Sequence, residues 1–163
     1  AAAIERHNPQ VRTVMELVVS SSRVQICTTE VNEIICQGEI TEKLIAQSCI
    51  SPGVKEIFHR LLSSAPGSNQ LYLAPLPEGF AGARYVDLVR AIITAGAPFV
   101  ACGFVQRGLE LAPDRPLHRR VVVNPHRGED PGRETALAAG DELIVLALEQ
   151  PRLQPYLEAG APV

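Results

Sequence analysis

Hydrophobic positions along this chain change rhythm twice. Val11–Val19 (VRTVMELVV) is β-branched and apolar around one internal acid, Glu16. That is the pattern of a strand covered on both faces in a parallel sheet. Ser20-Ser21-Ser22 offers hydroxyl caps for a short helix over Arg23–Thr29. Glu33–Cys36 (EIIC) predicts a second short strand. Strand, helix and strand in that order make one βαβ step, confined to residues 1–40. An open α/β sheet repeats that step, so the chain reads as starting in the middle of one.

Thr41–Leu62 (TEKLIAQSCISPGVKEIFHRLL) then switches to helical spacing. It predicts two amphipathic helices joined at Ser51-Pro52-Gly53. Leu44, Ile45 and Cys49, followed by Val54, Ile57, Phe58, Leu61 and Leu62, are expected on one side. Thr41–Cys49 is only about two turns and must pack on something. Pro52 disfavours helix at Ser51 and favours a new start at itself. Ala65-Pro66-Gly67-Ser68-Asn69 ends the second helix and marks a boundary, giving a crossover segment at 41–66.

Residues 67–163 have a third rhythm. Strands are expected at Leu71–Pro75, Phe99–Phe104, Val121–Asn124 and Leu143–Leu148, with a helix at Ala83–Ala95 built on Tyr85, Leu88, Val89 and Ile92. The order β-α-β-β-β implies a small α+β lobe. Gly140–Glu149 (GDELIVLALE) reads as a turn and a buried closing strand. Arg107–Arg120 and Pro125–Ala139 read as loops, and no internal repeat is present.

Composition narrows the function more than the fold. Net charge is −3 at pH 7, which argues against a general nucleic-acid binder. Aromatic residues make up 4% of the chain with no Trp, too few for base-stacking platforms. Cys27, Cys36, Cys49 and Cys102 show no CxxC spacing, so they read as small buried hydrophobes in a reducing compartment. The longest apolar run, Ala91–Phe104, is broken by Gly96, Pro98 and Gly103 and is shorter than the ~20 residues of a spanning helix. With no signal-peptide pattern at the N-terminus, the chain is expected to be soluble. No GxSxG elbow and no Ser-His-Asp or Cys-His spacing occurs, which speaks against an enzyme.

The ordered set of elements resembles the regulator-of-K⁺-conductance (RCK) domain of potassium channels and the related Trk/Ktr-type subunits. HNPQVRTVMEL (His7–Leu17) is similar to the fifth strand of that family's Rossmann-like lobe. VNEIICQGEITEKLIAQSCISPG (Val31–Gly53) looks like its last strand running into the crossover helices, and LIAQSCISPG is closest to prokaryotic relatives of the large-conductance calcium-activated channels. Residues 70–149 look like the C-terminal lobe. The fold class implied is α/β: the C-terminal part of a Rossmann-like RCK lobe, a helix-turn-helix crossover, and a small α+β lobe.

The resemblance also implies roles. Such domains pair through the crossover helices, which puts Leu44, Ile45, Cys49, Val54, Ile57, Phe58, Leu61 and Leu62 at a homodimer interface, with pairs assembling into a ring beneath the pore. The implied function is a cytosolic, ligand-sensing gating domain on the cytoplasmic face of the membrane. The alternatives are a soluble transporter subunit of the Trk/Ktr type and a fragment of a nucleotide-binding enzyme. The family's Gly-rich turn would lie before residue 1, and no GxGxxG occurs. The chain is therefore expected to be a fragment or an unusual second repeat, and not to bind NAD in the Rossmann manner.

Three sets of residues stand out as candidates. Glu16 lies where some calcium-gated relatives place a ligand, but Val18 replaces their second acid, and Ca²⁺ wants six to eight oxygens. Its other reading is a locally paired strand acid. Glu30, Glu33, Glu39 and Glu42 read as a solvated face, with Glu42 a partner for a helix cap near Gly38-Glu39. Arg115, His118, Arg119, Arg120, His126 and Arg127 form a basic cluster, and Arg119, Arg120, His126 and Arg127 are the residues suited to an anionic ligand such as a nucleotide. The competing reading pairs them with Asp114, Glu129 and Asp130. His59 and His7 read as surface or interface residues.

Overall fold

The computed structural model describes residues 8, 11, 13–18, 33–63, 65–107, 119–128 and 131–160. It divides into two compact units, Ala1–Phe58 with Glu110–His118 and His59–Leu109 with Arg119–Val163.

In the first unit, β1 (Val14–Leu17) pairs in parallel with β2 (Glu33–Cys36), with Glu16 opposite Ile35 and Leu17 opposite Cys36. The parallel pairing is what a βαβ step requires. The strand is shorter and more exposed than its sequence implies, because Val14, Glu16 and Val18 are exposed and only Leu17 is buried. Among the described residues β1 has a single neighbouring strand, so the cover that a β-branched run suggests is absent there. Ser20–Ser22 and Arg23–Thr29 lie outside the described residues.

Helix α1 (Gln37–Ile50) follows β2 directly, with Cys36 as an uncapped first residue. It thus begins at Gln37 rather than Thr41. Gly38 makes the early start feasible, since a Cβ there would stand 3.0 Å from the Val18 carbonyl oxygen. Glu42 falls mid-helix and caps nothing, contrary to the sequence expectation. The expected single stripe is also absent from α1. At about 100° per residue, Ile40 and Leu44 share one side while Ile45 and Cys49 lie opposite. Ser51 is extended before Pro52, as the proline demands, and Gly53 turns the chain at φ +95°.

Helix α2 (Val54–Leu61) starts two residues past Pro52 and does carry a stripe: Val54, Ile57, Phe58 and Leu61 share one side. Neither α1 nor α2 contains a buried residue.

The second unit is built on β3 (Gln70–Pro75), β4 (Val100–Arg107), β5 (Arg119–Val123) and β6 (Glu142–Ala147) in the antiparallel order β3-β6-β4-β5. The closing strand β6 is thus interior, which is why Leu143, Ile144, Val145 and Ala147 are all buried. Antiparallel partners share a face. Ala74, Phe104 and Leu143 lie in one row and Ala101 and Val145 in the next. These residues pack with Leu88 and Ile92 of α3 (Tyr85–Thr94) and Leu157 of α4 (Gln154–Ala159). The other face presents Leu71, Leu73, Val100, Val121 and Val123 to solvent. At Gly103 the β5 backbone passes so close that any Cβ would collide with the Val122 carbonyl.

Helix α4 is absent from the sequence expectation. It is six residues long, has a proline in its first turn and carries one fully buried residue, Leu157. Gly160 ends it against the Ala91 carbonyl of α3, where a Cβ would not fit. Phe99 and Tyr156 meet edge to face at 5.2 Å and tie α4 to the start of β4.

Tyr85 and Phe104 sit at the centre of this core, with ring centroids 5.3 Å apart. Phe104→Ala should destabilise the chain by about 3–5 kcal/mol in guanidinium denaturation, since Phe104 is fully buried. Burial pushes the Tyr85 hydroxyl from 10.0 up to about 12. Folding therefore favours neutral Tyr85: the associated stability is complete below pH 10 and is lost as pH rises through 12. Absorbance titration of tyrosinate should show a transition near pH 12 that Tyr85→Phe removes.

Candidate functional site

The exposed apolar side of α2 is the first candidate. Ile57 is 57% exposed, Phe58 42%, and Leu62, just past the helix, 79%. Leu44, Val54 and Leu61 are partly buried, and Ile45 and Cys49 are exposed. The eight residues expected at an interface are thus all accessible in the single chain, although those on α1 do not share one side. His59 is also exposed.

Four residues of the basic cluster are described, two at each end of one strand. Arg119 stands opposite Arg107 and Arg120 opposite Gln106, at the start of β5. His126 and Arg127 lie past the other end of β5, beyond Asn124. Five residues, Val121–Pro125, lie between Arg120 and His126. Arg115 and His118 lie outside the described residues.

Glu16 is exposed on β1. Among the described residues no group of three His, Cys, Asp or Glu side chains is placed to hold a metal ion. Glu33 and Glu42 are exposed and Glu39 half-buried, while Glu30 lies outside the described residues. Cys36 is buried, Cys49 exposed and Cys102 half-buried, all three as free thiols.

The structure uses polar groups elsewhere that the sequence reading did not single out. Asp141 is buried, and its two carboxylate oxygens accept the Arg107 and Ala138 backbone N–H groups at 2.8 Å each. Its own carbonyl accepts the Leu76 N–H at 2.9 Å. Next to it, Glu142 is gripped by the Arg107 guanidinium at 2.6 and 3.1 Å. The GDEL segment therefore locks the end of β4 to the start of β6 through charge-assisted bonds. The signal was present as two acids at the mouth of a buried strand, where each must find a partner.

A second polar group surrounds the start of α3. Arg84 donates to Asp87 at 2.7 and 3.1 Å and to Glu134 at 2.9 Å. The Arg84 hydrogen bond holds the Asp87 carboxyl below its usual range, and the same bond raises Arg84. Arg133 reaches Glu134 only at 3.8 Å. Burial raises the Cys102 thiol.

No protein-family model matches this chain, and no curated protein sequence matches it. Solved structures do. The human SLO3 gating ring matches over 90% of this chain at 15% identity with a TM-score of 0.61. The GsuK channel bound to NAD covers 96% of the chain at 15% identity, and the GsuK channel 98% at 14%, each with a TM-score of 0.38. The chain spans 28% of the SLO3 chain and 24% of each GsuK chain. The mixed α/β fold of this chain is therefore similar to that of the SLO3 gating ring.

Proposed function

We propose that this chain is a regulatory gating module of a potassium channel, acting by binding and assembly rather than by catalysis. The observation that carries the reading is the α2 stripe. Val54, Ile57, Phe58 and Leu61 form an apolar side on a helix with no buried residue. Coupled with a gating-ring fold, that side is a natural pairing surface.

The organisation proposed is a partial Rossmann-like lobe over 1–40, crossover helices over 41–66 and an RCK-type C-terminal lobe over 67–163. Two copies pair through Leu44, Ile45, Cys49, Val54, Ile57, Phe58, Leu61 and Leu62, and the pairs build a ring attached to the pore. Among the described residues no helix is long and apolar enough to cross a membrane. The module would therefore lie on the cytoplasmic side of a pore carried by other segments. Its effector would be a small ion or ligand. Glu16 supplies at most one carboxylate for Ca²⁺, and the second acid expected from relatives is Val18.

The energetics favour assembly through α2. Burying one large apolar side chain stabilises by about 1.5–3 kcal/mol, scaled down for those already half-covered. A pairing that covers the stripe twice, once on each copy, gains several kcal/mol. Light scattering at micromolar concentration should find a dimer or larger. Phe58→Asp should weaken assembly at least tenfold, or about 1.4 kcal/mol, while Lys55→Ala, off the stripe, should leave the mass unchanged. A wild-type chain that stays monomeric would contradict this reading.

A further inference from the structure

A cleft of about 480 Å³ lies within the second unit, between the N-terminal half of α3 and the neighbouring ends of β4 and β5. Its size falls in the range of small-ligand sites. Val86 and Val89 of α3 and Ala101 of β4 supply apolar lining from the packed face of the sheet, and Cys102 and Arg133 are among the other lining residues. Tyr85 and Cys102 are neutral near pH 7, so Arg133 is the charged group among the lining residues.

The position of Arg133 is built. Its backbone N–H donates to the His126 carbonyl at 3.2 Å, and its carbonyl accepts the Val86 N–H at 2.9 Å. The Tyr85 N–H donates to the Thr135 carbonyl at 2.9 Å. The first amides of α3 thus anchor the 133–135 segment and are not available to a ligand. Across the cleft the β4 ladder shifts register between Ala101 and Gly103, and the Asn124 N–H donates to the Cys102 carbonyl at 2.7 Å. Asn124 adopts φ +48°, the left-handed conformation that asparagine tolerates at a turn.

One donor in this frame is left over. Arg133 Nε is buried and finds no hydrogen-bond partner among the described residues. Glu134 stands at 3.8 Å, beyond hydrogen-bond reach, and its other oxygen is taken by Arg84 at 2.9 Å. A buried donor without an acceptor costs about 1–3 kcal/mol, which an incoming acceptor would remove.

We infer that this cleft binds a small organic anion, its apolar body against Val86, Val89 and Ala101 and its single carboxylate or phosphate on Arg133. An apolar wall with one cation rejects both halves of such a ligand when they are offered separately. A neutral apolar molecule leaves Nε unpaired, and a bare anion leaves the valines wet. The site lies in one unit of the chain, so it stands whether or not the chain assembles or gates a channel.

The test is a ¹⁵N-resolved NMR titration of the 163-residue chain with three probes: octanoate, 1-octanol and inorganic phosphate. Octanoate should saturably shift the amides of Val86, Ala101, Cys102, Val123, Asn124 and Arg133, with a Kd on the order of 1 mM or tighter. Octanol and phosphate should each bind at least tenfold more weakly. Arg133→Gln should weaken octanoate about tenfold, ~1.4 kcal/mol, and Arg133→Lys, which keeps the charge, should lose less. The contrast between octanoate and octanol on the wild-type chain decides the matter even where Arg133→Gln loses its dispersed spectrum. Equal binding of octanoate and octanol would overturn the inference. So would shifts confined to the exposed sheet face at Leu71 and Leu73, or a folded Arg133→Gln variant that binds octanoate as the wild type does.

Discussion

Eight residues of helix cannot hold themselves together in water. Helices shorter than about 12–15 residues are marginal alone, because nucleation fixes several dihedrals for a single hydrogen bond. Helix α2 is eight residues long, buries none of them, and aligns Val54, Ile57, Phe58 and Leu61 along one side. Its persistence therefore depends on covering that side. This requirement joins the fold to the proposed role: a module that is completed by another surface is one whose assembly can be regulated.

The second unit makes the opposite arrangement. Its central strand β6 is buried among β3, β4 and the two helices, and its polar entry is fully partnered through Asp141 and Glu142. Two buried carboxylates at the mouth of the strand would be costly unpaired. Here one takes two backbone amides and the other a guanidinium, so they fix the register of β4 against β6. The α3 cleft is framed from both sides, by the register shift in β4 at Cys102 and by the Arg133 segment anchored on the first amides of α3.

Much of this was legible in the residues. The short apolar runs of β3, β4, β5 and β6 and the helical spacing of Tyr85, Leu88, Val89 and Ile92 place most elements of the second unit. The Ser51-Pro52-Gly53 turn is equally plain, because Pro52 forces Ser51 extended and Gly53 supplies a positive φ. Other features were hidden for identifiable reasons. A helix cap was expected near Gly38-Glu39, yet Gly38 is already inside α1, close against the Val18 carbonyl. The prolines around Leu153 masked α4, whose only strong signals are Leu157 and the terminal Gly160. Asp141 and Glu142 read as turn chemistry, and only the pairing with Arg107 reveals them as a lock. The cleft was invisible for a related reason: its walls come from three separate segments, and the orphaned Nε of Arg133 is a property of geometry alone.

The most direct measurement is amide hydrogen exchange of residues 54–61 as a function of protein concentration. If α2 is completed by a second copy, its protection should rise steeply as the chain is concentrated, while the amides of β6 exchange at the same slow rate throughout. Protection of α2 that is high and independent of concentration would mean the helix is stable without a partner, and the assembly account would be wrong.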